Sequence, residues 1–217
     1  MESIKKYKKT LILTAILILL PMLIGFIFWD KLPDQLATHF GSNGEPDGWS
    51  SKTFAVIVLP VLLVAVHLAC FFITFADPKK QHIDPKLFKL ILWLCPVISW
   101  FGCGTTYAHA LDMEFNITNI GMILVGVLFI IIGNYLPKAR QNYTVGIKLP
   151  WTLHDEENWN RTHRLAGKLW MVCGLLFVIV SFFGLGISWI AMILGLIMVF
   201  VPAGYSFLYY LKNQKNE

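Results

Sequence analysis

The chain has 217 residues, of which 56% are hydrophobic and only 14% are charged. A soluble domain carries about 25% charged residues, so the composition excludes an ordinary soluble globular protein and indicates an integral membrane protein. The net charge of +5 does not indicate nucleic-acid binding, because the lysines and arginines lie in loops and tails beside apolar runs, where membrane topology accounts for them.

Six apolar runs reach the length of about 20 residues that a helix needs to cross a bilayer. Inside lipid each segment must satisfy its own backbone hydrogen bonds, so each run is predicted to be a helix. The chain is therefore predicted to be an all-α membrane protein, a six-transmembrane helix bundle. The predicted spans are Thr10–Trp29, Phe54–Phe75, Leu87–His109, Ile117–Leu136, Leu169–Leu185 and Ser188–Tyr210.

Basic residues are concentrated on one side of this arrangement. Both tails and the loops 76–86 and 134–168 contain nearly all of them, whereas the opposite side has only Lys31 and Lys52 and a connection around Gly186 without any. The positive-inside rule therefore predicts an N-in/C-in topology. Loop 30–53 is external, and the loop and helix between spans 4 and 5 are cytoplasmic.

The chain divides into two predicted regions. Residues 1–86 form an N-terminal two-span region that contains the external loop 30–53, and residues 87–217 form a C-terminal four-span region that contains the polar segment 134–168. The external loop is rich in Gly, Pro and Asx residues, which favour turns. We predict two consecutive tight turns over Gly44–Gly48 and a compact loop with Phe40 and Trp49 as internal anchors.

The polar segment 134–168 is predicted to contain a helix that runs into the fifth span. Thr152 and Asp155 match a capping box, with Thr152 as the N-cap, so this helix is expected to begin near Leu153. Two interpretations remain open for the segment. Its charges and aromatic residues are typical of contacts with lipid headgroups, whereas its dense mixture of specialised residues favours a specific internal contact.

One face of the predicted helix carries the most informative residues. Trp159, His163 and Gly167 follow one another at intervals of four, so they share a helix face. The small Gly167 is expected to permit close approach of another helix or of the turn at Pro150 and Trp151.

The histidines form no recognisable metal-binding or catalytic pattern. His39 lies near Asp34, Glu45 and Asp47, but a single histidine among scattered carboxylates is more typical of a structural hydrogen bond. His154 and His163 are nine residues apart and do not share a helix face. We therefore expect no metal, no cofactor and no enzymatic activity.

His67 is the one ionisable residue well inside a predicted span. Such a residue is a candidate functional group, although a neutral histidine that hydrogen-bonds a neighbouring helix is the more common case. It is the basis of an alternative function, export of a small molecule or a peptide.

Two sets of motif residues stand out in the polar segments. The external-loop candidates are His39, Phe40, Gly44, Pro46, Asp47, Trp49 and Lys52. The cytoplasmic candidates are Asn134, Gly146, Lys148, Pro150, Trp151, Trp159, Thr162, His163, Arg164 and Gly167. These motifs resemble those of the SdpI family of bacterial immunity proteins. Ala37 replaces a usual Pro, and Lys148-Leu149 replaces an Arg-Thr pair, which alters any bidentate anion contact there.

The resemblance implies a multi-pass protein of the bacterial plasma membrane that confers resistance to a secreted antimicrobial peptide toxin. It also implies signal transduction, in which the protein holds a cytoplasmic transcriptional repressor at the membrane. The implied partners are thus the lipid bilayer, a secreted peptide toxin and a repressor, with no direct nucleic-acid contact.

Overall fold

The computed structural model describes residues 2–183 and 187–214 of the chain. The connection around Gly186 and the basic tail residue Lys215, both used in the topology prediction, lie outside these ranges. In chain order the elements are α1 (Glu2–Ile27), β1 (Gln35–Phe40), β2 (Pro46–Ser51), a π-helical turn (Phe54–Val58), α2 (Leu59–Ala76), α3 (Pro85–Ala110), α4 (Ile117–Tyr135), α5 (Pro150–His154), α6 (Glu156–Ser181) and α7 (Ile187–Gln214).

Six helical segments within these ranges are long and apolar enough to cross a membrane, which confirms the predicted number of spans. They are Lys6–Ile27, Phe54–Ala76, Pro85–Ala110, Ile117–Lys138, Glu156–Ser181 and Trp189–Gln214. Their outward faces keep many large apolar side chains exposed, as lipid-facing helices require. The chain is not purely α-helical, because the predicted external loop contains two strands.

The start of the fifth long helix differs from the prediction. Asp155, not Thr152, is the N-cap of α6, because its carboxylate accepts hydrogen bonds from Glu157 N at 2.8 Å and Asn158 N at 3.1 Å. The hydroxyl of Thr152 instead accepts from Leu149 N at 2.9 Å. The predicted capping box is therefore wrong, and the two acceptors serve two separate short-range structures.

The first compact unit comprises the chain up to residue 73 together with residues 85–117. Within it α3 packs along α1, where Ser99 Oγ donates to Ile18 O at 2.8 Å and Trp100 Nε1 donates to Leu17 O at 3.0 Å. These contacts group α3 with α1 in one compact unit.

His67 is buried in the first unit and shares a hydrogen bond of 2.9 Å with Thr14 Oγ1. The bond joins α2 to α1. The geometry thus supports a structural role for this intramembrane histidine.

The strands β1 and β2 form an antiparallel hairpin in which Leu36 pairs with Ser50 and Ala37 pairs with Trp49. The register shifts around His39, which marks a bulge. The turn spans Gly41 to Gly44, where Gly41 N donates to Glu45 O at 2.8 Å and Gly44 has a φ of 83°. Phe40 pairs with Pro46 and His39 pairs with Gly48, although Pro and Gly favour turns.

The prediction of two turns over Gly44–Gly48 is therefore wrong. Pro46, Asp47 and Gly48 belong to β2, and Gly48 serves a different purpose from turning the chain. A Cβ atom at this position would lie 2.8 Å from the Cβ of His39, so a glycine is required for the strands to approach each other here.

Apolar side chains at the base of the hairpin attach it to the first unit. Leu32 and Leu36 are buried in a cluster with Ala55, Val56, Cys103 and Tyr107. The predicted internal anchors Phe40 and Trp49 are not the buried residues, and Trp49 is 56% exposed. The rings of Phe40 and Trp49 instead contact that of His109, with centroid distances of 5.4 and 6.2 Å.

The second compact unit comprises residues 74–84 and the described chain from residue 118 onward. Its helices α4 and α6 cross at two pairs of glycines. A Cβ on Gly126 would lie 2.6 Å from Gly174 O, and one on Gly133 would lie 2.7 Å from Gly167 O. The close helix approach predicted for Gly167 is confirmed, and its partner is α4 rather than the turn at Pro150.

Candidate functional site

Between α4 and α6 the chain folds back on itself around buried polar side chains. We call this arrangement the loop core. It consists of Asp77, Gln141, Asn142, Thr152, Trp159 and His163, all of which are buried. Every member lies in the second unit. Buried polar groups are costly without hydrogen bonds, so their partners define the geometry of this site.

Asn142 shapes the first loop of the core and is completely buried. Its Nδ2 donates to Arg140 O at 2.8 Å and Val145 O at 3.0 Å. Its Oδ1 accepts from Thr144 N at 2.9 Å and Val145 N at 2.7 Å. Both donors and both lone-pair directions of the amide are used, so residues 140–145 have one strongly specified conformation.

Asp77 connects this loop to the segment between α2 and α3. Its carboxylate accepts from Lys79 N at 2.7 Å, from Tyr143 N at 2.9 Å and from the hydroxyl of Thr144. Hydrogen bonds to an ionised acceptor are stronger than those between neutral groups. Asp77 therefore joins two chain segments that are more than sixty residues apart.

Gln141 extends the same connection toward α5. Lys79 Nζ donates to its Oε1 at 2.5 Å, and its Nε2 donates to Thr152 O at 3.0 Å and Leu153 O at 2.9 Å. His82 Nδ1 donates to the backbone oxygen of Gln141 at 2.8 Å. The side chain and the backbone of Gln141 thus join the segment 79–82 to α5.

Trp159 and His163 form the centre of the loop core. Their rings stack with a centroid distance of 4.0 Å and an interplanar angle of 20°. Trp159 Nε1 donates to Ala139 O at 2.7 Å, and His163 Nε2 accepts from Ile147 N at 2.9 Å. His163 Nδ1 lies 2.7 Å from Trp159 O, so this nitrogen carries the proton. Both ring nitrogens are engaged, and the tautomer of the neutral imidazole is fixed.

Gly146 lies directly against these two rings. Its φ is 131°, which disfavours any residue with a side chain. A Cβ at this position would lie 2.8 Å from Trp159 Cζ2 and would also collide with His163 Nε2. The glycine is therefore required on two independent grounds.

Helix α5 is a single short turn closed by Thr152. The hydroxyl of this residue lies 2.9 Å from Ile147 O and accepts from Leu149 N at 2.9 Å. Pro150 occupies the first position of the helix, where its missing N–H has no cost. Pro150 therefore begins α5.

A second set of buried polar groups joins α6 to α7. Asn158 Nδ2 donates to Ser206 O at 3.0 Å. Asn158 Oδ1 accepts from Ser206 Oγ at 2.6 Å and from Thr162 Oγ1 at 3.0 Å. All three residues are completely buried. Thr162 therefore belongs to a contact between helices and not to an exposed surface.

The remaining candidates of the polar segment face outward. Asn134, Lys148, Pro150 and Arg164 are exposed. Trp151 is half-buried and packs on α7, with its ring centroid 5.1 Å from that of Phe207 and 6.0 Å from that of Tyr210. These five residues lie outside the network of buried hydrogen bonds.

The hairpin presents its motif residues differently. The side chains of His39 and Asp47 form a hydrogen bond on the surface, where they are 74% and 53% exposed. Lys52 turns inward, donates to Trp29 O at 3.1 Å and lies 5.3 Å above the Trp29 ring. Gly44 and Pro46 are half-buried beside the turn. The predicted structural hydrogen bond of His39 is confirmed, with Asp47 as its partner.

Five residues that hold the second unit together are not among the candidates predicted from the sequence, namely Asp77, Gln141, Asn142, Asn158 and Ser206. The clearest signal for one of them was the spacing of Asn158 and Thr162, four residues apart on a helix. Within residues 2–183 and 187–214 no group of three or more His, Cys, Asp or Glu side chains is arranged to hold a metal ion.

Each of the two polar segments is matched by a protein-family model. The model of the SdpI/YfhL protein family matches residues 138–206, and that of a domain of unknown function (DUF1648) matches residues 16–64. Immunity protein SdpI of Bacillus subtilis (strain 168) is 29% identical over 206 residues, which cover 93% of this chain and 96% of the relative.

The chain is thus similar to the SdpI family in its C-terminal part and to an SdpI immunity protein over nearly its whole length. The SdpI/YfhL match includes most of the loop core together with α6 and the first part of α7. The second match includes the whole hairpin. No solved structure matches the chain.

Proposed function

We propose that this protein is a membrane immunity protein, which protects its cell against a secreted peptide toxin. The observation that carries the proposal is the similarity to Immunity protein SdpI over nearly the full length of both chains. That similarity covers 93% of this chain and 96% of the relative, so it extends over most of the architecture.

The proposed orientation in the bacterial plasma membrane is N-in/C-in. The polar segment 134–168, the segment 76–86 and both tails contain most of the lysines and arginines, which favours the cytoplasm for all of them. The hairpin then faces the outside of the cell, where a secreted peptide arrives.

The hairpin is the proposed first contact of the toxin. It is held at its base by buried Leu32 and Leu36 and by Lys52, so it is a firm support rather than a loose loop. It presents Trp49, which is 56% exposed. Exposed aromatic side chains on a rigid support are favourable binding residues because they bury much apolar area at little entropic cost.

The loop core is the proposed cytoplasmic support of a signalling surface. Its buried members fix the backbone, and the exposed residues Lys148, Pro150 and Arg164 lie around them. We propose that a transcriptional repressor binds these outward-facing residues, which explains why the polar segment contains more than lipid anchoring requires.

A non-catalytic role is part of the proposal. Both nitrogens of His163 already have hydrogen-bond partners, so this imidazole is not free to accept a substrate proton. The exporter alternative depends on His67, whose ring bonds Thr14 in a buried site. If the protein were such an exporter, His67→Ala should abolish efflux. If it is an immunity protein, survival in the presence of toxin should require the hairpin.

A survival assay tests the proposal. We expect expression of the protein in a sensitive bacterium to raise the minimum inhibitory concentration of one of a set of secreted peptide toxins. Trp49→Ala should remove most of this protection at an unchanged level of membrane-inserted protein. Trp189→Ala, which alters another exposed tryptophan, should leave it intact. Equal sensitivity with and without the wild-type protein across the toxin set would refute the immunity function.

A separate measurement tests the signalling part. Fluorescently tagged candidate repressors, co-expressed with the protein, should collect at the membrane with the wild type and return to the cytoplasm with Lys148→Ala/Arg164→Ala. Toxin survival should be unaffected by this double substitution. Membrane recruitment that persists in the double variant would refute the proposed docking surface.

A further inference from the structure

The outer side of the α6–α7 pair contains a pocket that the proposed function does not use. It has a volume of about 480 Å³ and lies entirely within the second unit. Its lining combines two cations, two phenols, an amide and one apolar side chain. The lining residues are Arg161, Tyr205, Leu208, Tyr209, Lys212 and Asn213.

The spacing of the lining residues explains the pocket. Tyr205, Leu208, Tyr209 and Lys212 follow the three- and four-residue intervals of one helix face on α7. Arg161 on α6 faces this stripe, with its guanidinium 5.1 Å from the centroid of the Tyr209 ring. The polar groups therefore converge from two adjacent helices.

The two cations are not equally neutralised. Arg161 donates through Nε at 2.9 Å and Nη2 at 2.6 Å to one carboxylate oxygen of Glu157. That contact uses two of the five N–H donors of the guanidinium. Lys212 forms no ion pair within the described residues. The pocket thus retains a net positive charge and donors for an oxyanion.

The position of the pocket indicates where the oxyanion comes from. It lies at one end of two candidate membrane spans, Glu156–Ser181 and Trp189–Gln214. Leu208, part of its lining, is 67% exposed, and Phe200 and Val201 on the same helix are exposed too. A molecule held here has its charged end at the cations and an apolar route along α7 toward the bilayer interior.

We propose that this pocket binds the phosphate of an anionic phospholipid headgroup. Arg161 and Lys212 contact the phosphate, Asn213 contacts a headgroup oxygen, and Leu208 borders the start of the acyl chains. Basic pockets between membrane helices are suited to anionic lipids. Glu157 limits the affinity, because it neutralises Arg161 and repels the phosphate. This inference is independent of toxin immunity.

Native mass spectrometry of the purified full-length protein tests the site, with phosphatidylglycerol and phosphatidylcholine of equal chain length as probes. We expect the anionic lipid to bind preferentially. Each cation near a phosphate contributes about a fivefold change in affinity. Lys212→Gln should therefore weaken phosphatidylglycerol binding about fivefold, and Arg161→Gln/Lys212→Gln about 25-fold. Lys212→Arg should retain binding.

Two further variants separate recognition from general effects. Lys168→Gln removes an exposed cation of α6 outside the pocket and should leave lipid binding unchanged. Glu157→Gln should strengthen phosphatidylglycerol binding about fivefold, whereas a purely structural role of the Glu157–Arg161 pair predicts weaker binding. The Glu157 variant also keeps the test decisive if the double variant fails to fold.

Several results would overturn the proposal. Equal binding of phosphatidylcholine, wild-type affinity in a folded double variant, or weaker binding by Glu157→Gln would each contradict it. Displacement of the lipid by millimolar inorganic phosphate would show that the pocket is a site for soluble anions. Retention of the lipid in the presence of phosphate supports the phospholipid as the occupant.

Discussion

The hairpin and the loop core contain the same residue types in opposite environments. Trp49 and His39 of the hairpin are exposed, whereas Trp159 and His163 of the loop core are completely buried. The hairpin depends on apolar side chains at its base, and the loop core depends on hydrogen bonds among polar ones. A motif tryptophan or histidine is therefore exposed in one region and constrains the fold in the other.

The largest effect that tests this contrast is expected from the two tryptophans. Trp159→Ala removes a fully buried ring and leaves Ala139 O without its donor. We expect a loss of about 3–5 kcal/mol of folding stability, measured as a large decrease in the thermal unfolding temperature in detergent. Trp49→Ala should leave that temperature close to the wild type. Similar unfolding temperatures for the two variants would show that the distinction is wrong.

The next effect concerns buried and exposed amides. In Asn142→Asp the two carbonyl groups of Arg140 and Val145 lose their donor and face an oxygen instead. We expect destabilisation of about 3 kcal/mol, since burying unpaired acceptors and a charge is costly. Asn43→Asp, in the exposed turn of the hairpin, provides the matched control. Proteolysis of the 139–147 loop should accelerate in the first variant only.

Two glycine substitutions should change folding stability by smaller amounts and in opposite directions. Gly167→Ala places a methyl group 2.6 Å from Gly133 O, so α4 and α6 must separate. Overpacking of this kind costs about 1–3 kcal/mol. Gly195 on α7 has open space around it, and Gly195→Ala should raise stability by up to about 1 kcal/mol through helix propensity. Thermal unfolding shifts of the same sign in both variants would contradict the assigned helix contact.

The smallest effect is expected at the surface pair of the hairpin. Asp47→Asn removes the charged partner of His39, and exposed ion pairs contribute less than about 1 kcal/mol. The unfolding temperature should therefore change little. Toxin survival is the informative measurement here, because any loss of protection without a change in stability would assign Asp47 to the contact surface.

The sequence was sufficient for the features that repeat along a helix. Apolar runs of bilayer length predicted six spans, and four-residue spacing placed Trp159, His163 and Gly167 on one face. The close approach at Gly167 followed from the missing side chain. In each case the physical cause lies within one element, so local periodicity is enough to find it.

Features created by distant contacts were not predictable in the same way. Nothing near Asp77 indicates that its carboxylate will bind Tyr143 N, because the partners meet only in the folded chain. The hairpin strands contain Pro46 and Gly48, which are typical of turns, and only cross-strand packing against His39 shows why Gly48 lies in a strand.

The paired glycines of α4 and α6 have a consequence for how the chain tolerates change in length. Gly126 and Gly133 are seven residues apart, as are Gly167 and Gly174, so the two contacts lie two helical turns apart on each helix. One inserted residue between either pair rotates the next glycine by about 100° and places a side chain against the opposing backbone. Substitutions elsewhere in these stretches are tolerated far better than single insertions or deletions. Such a change in helix register also displaces His163, which lies one turn before Gly167, from the Ile147 amide that donates to it.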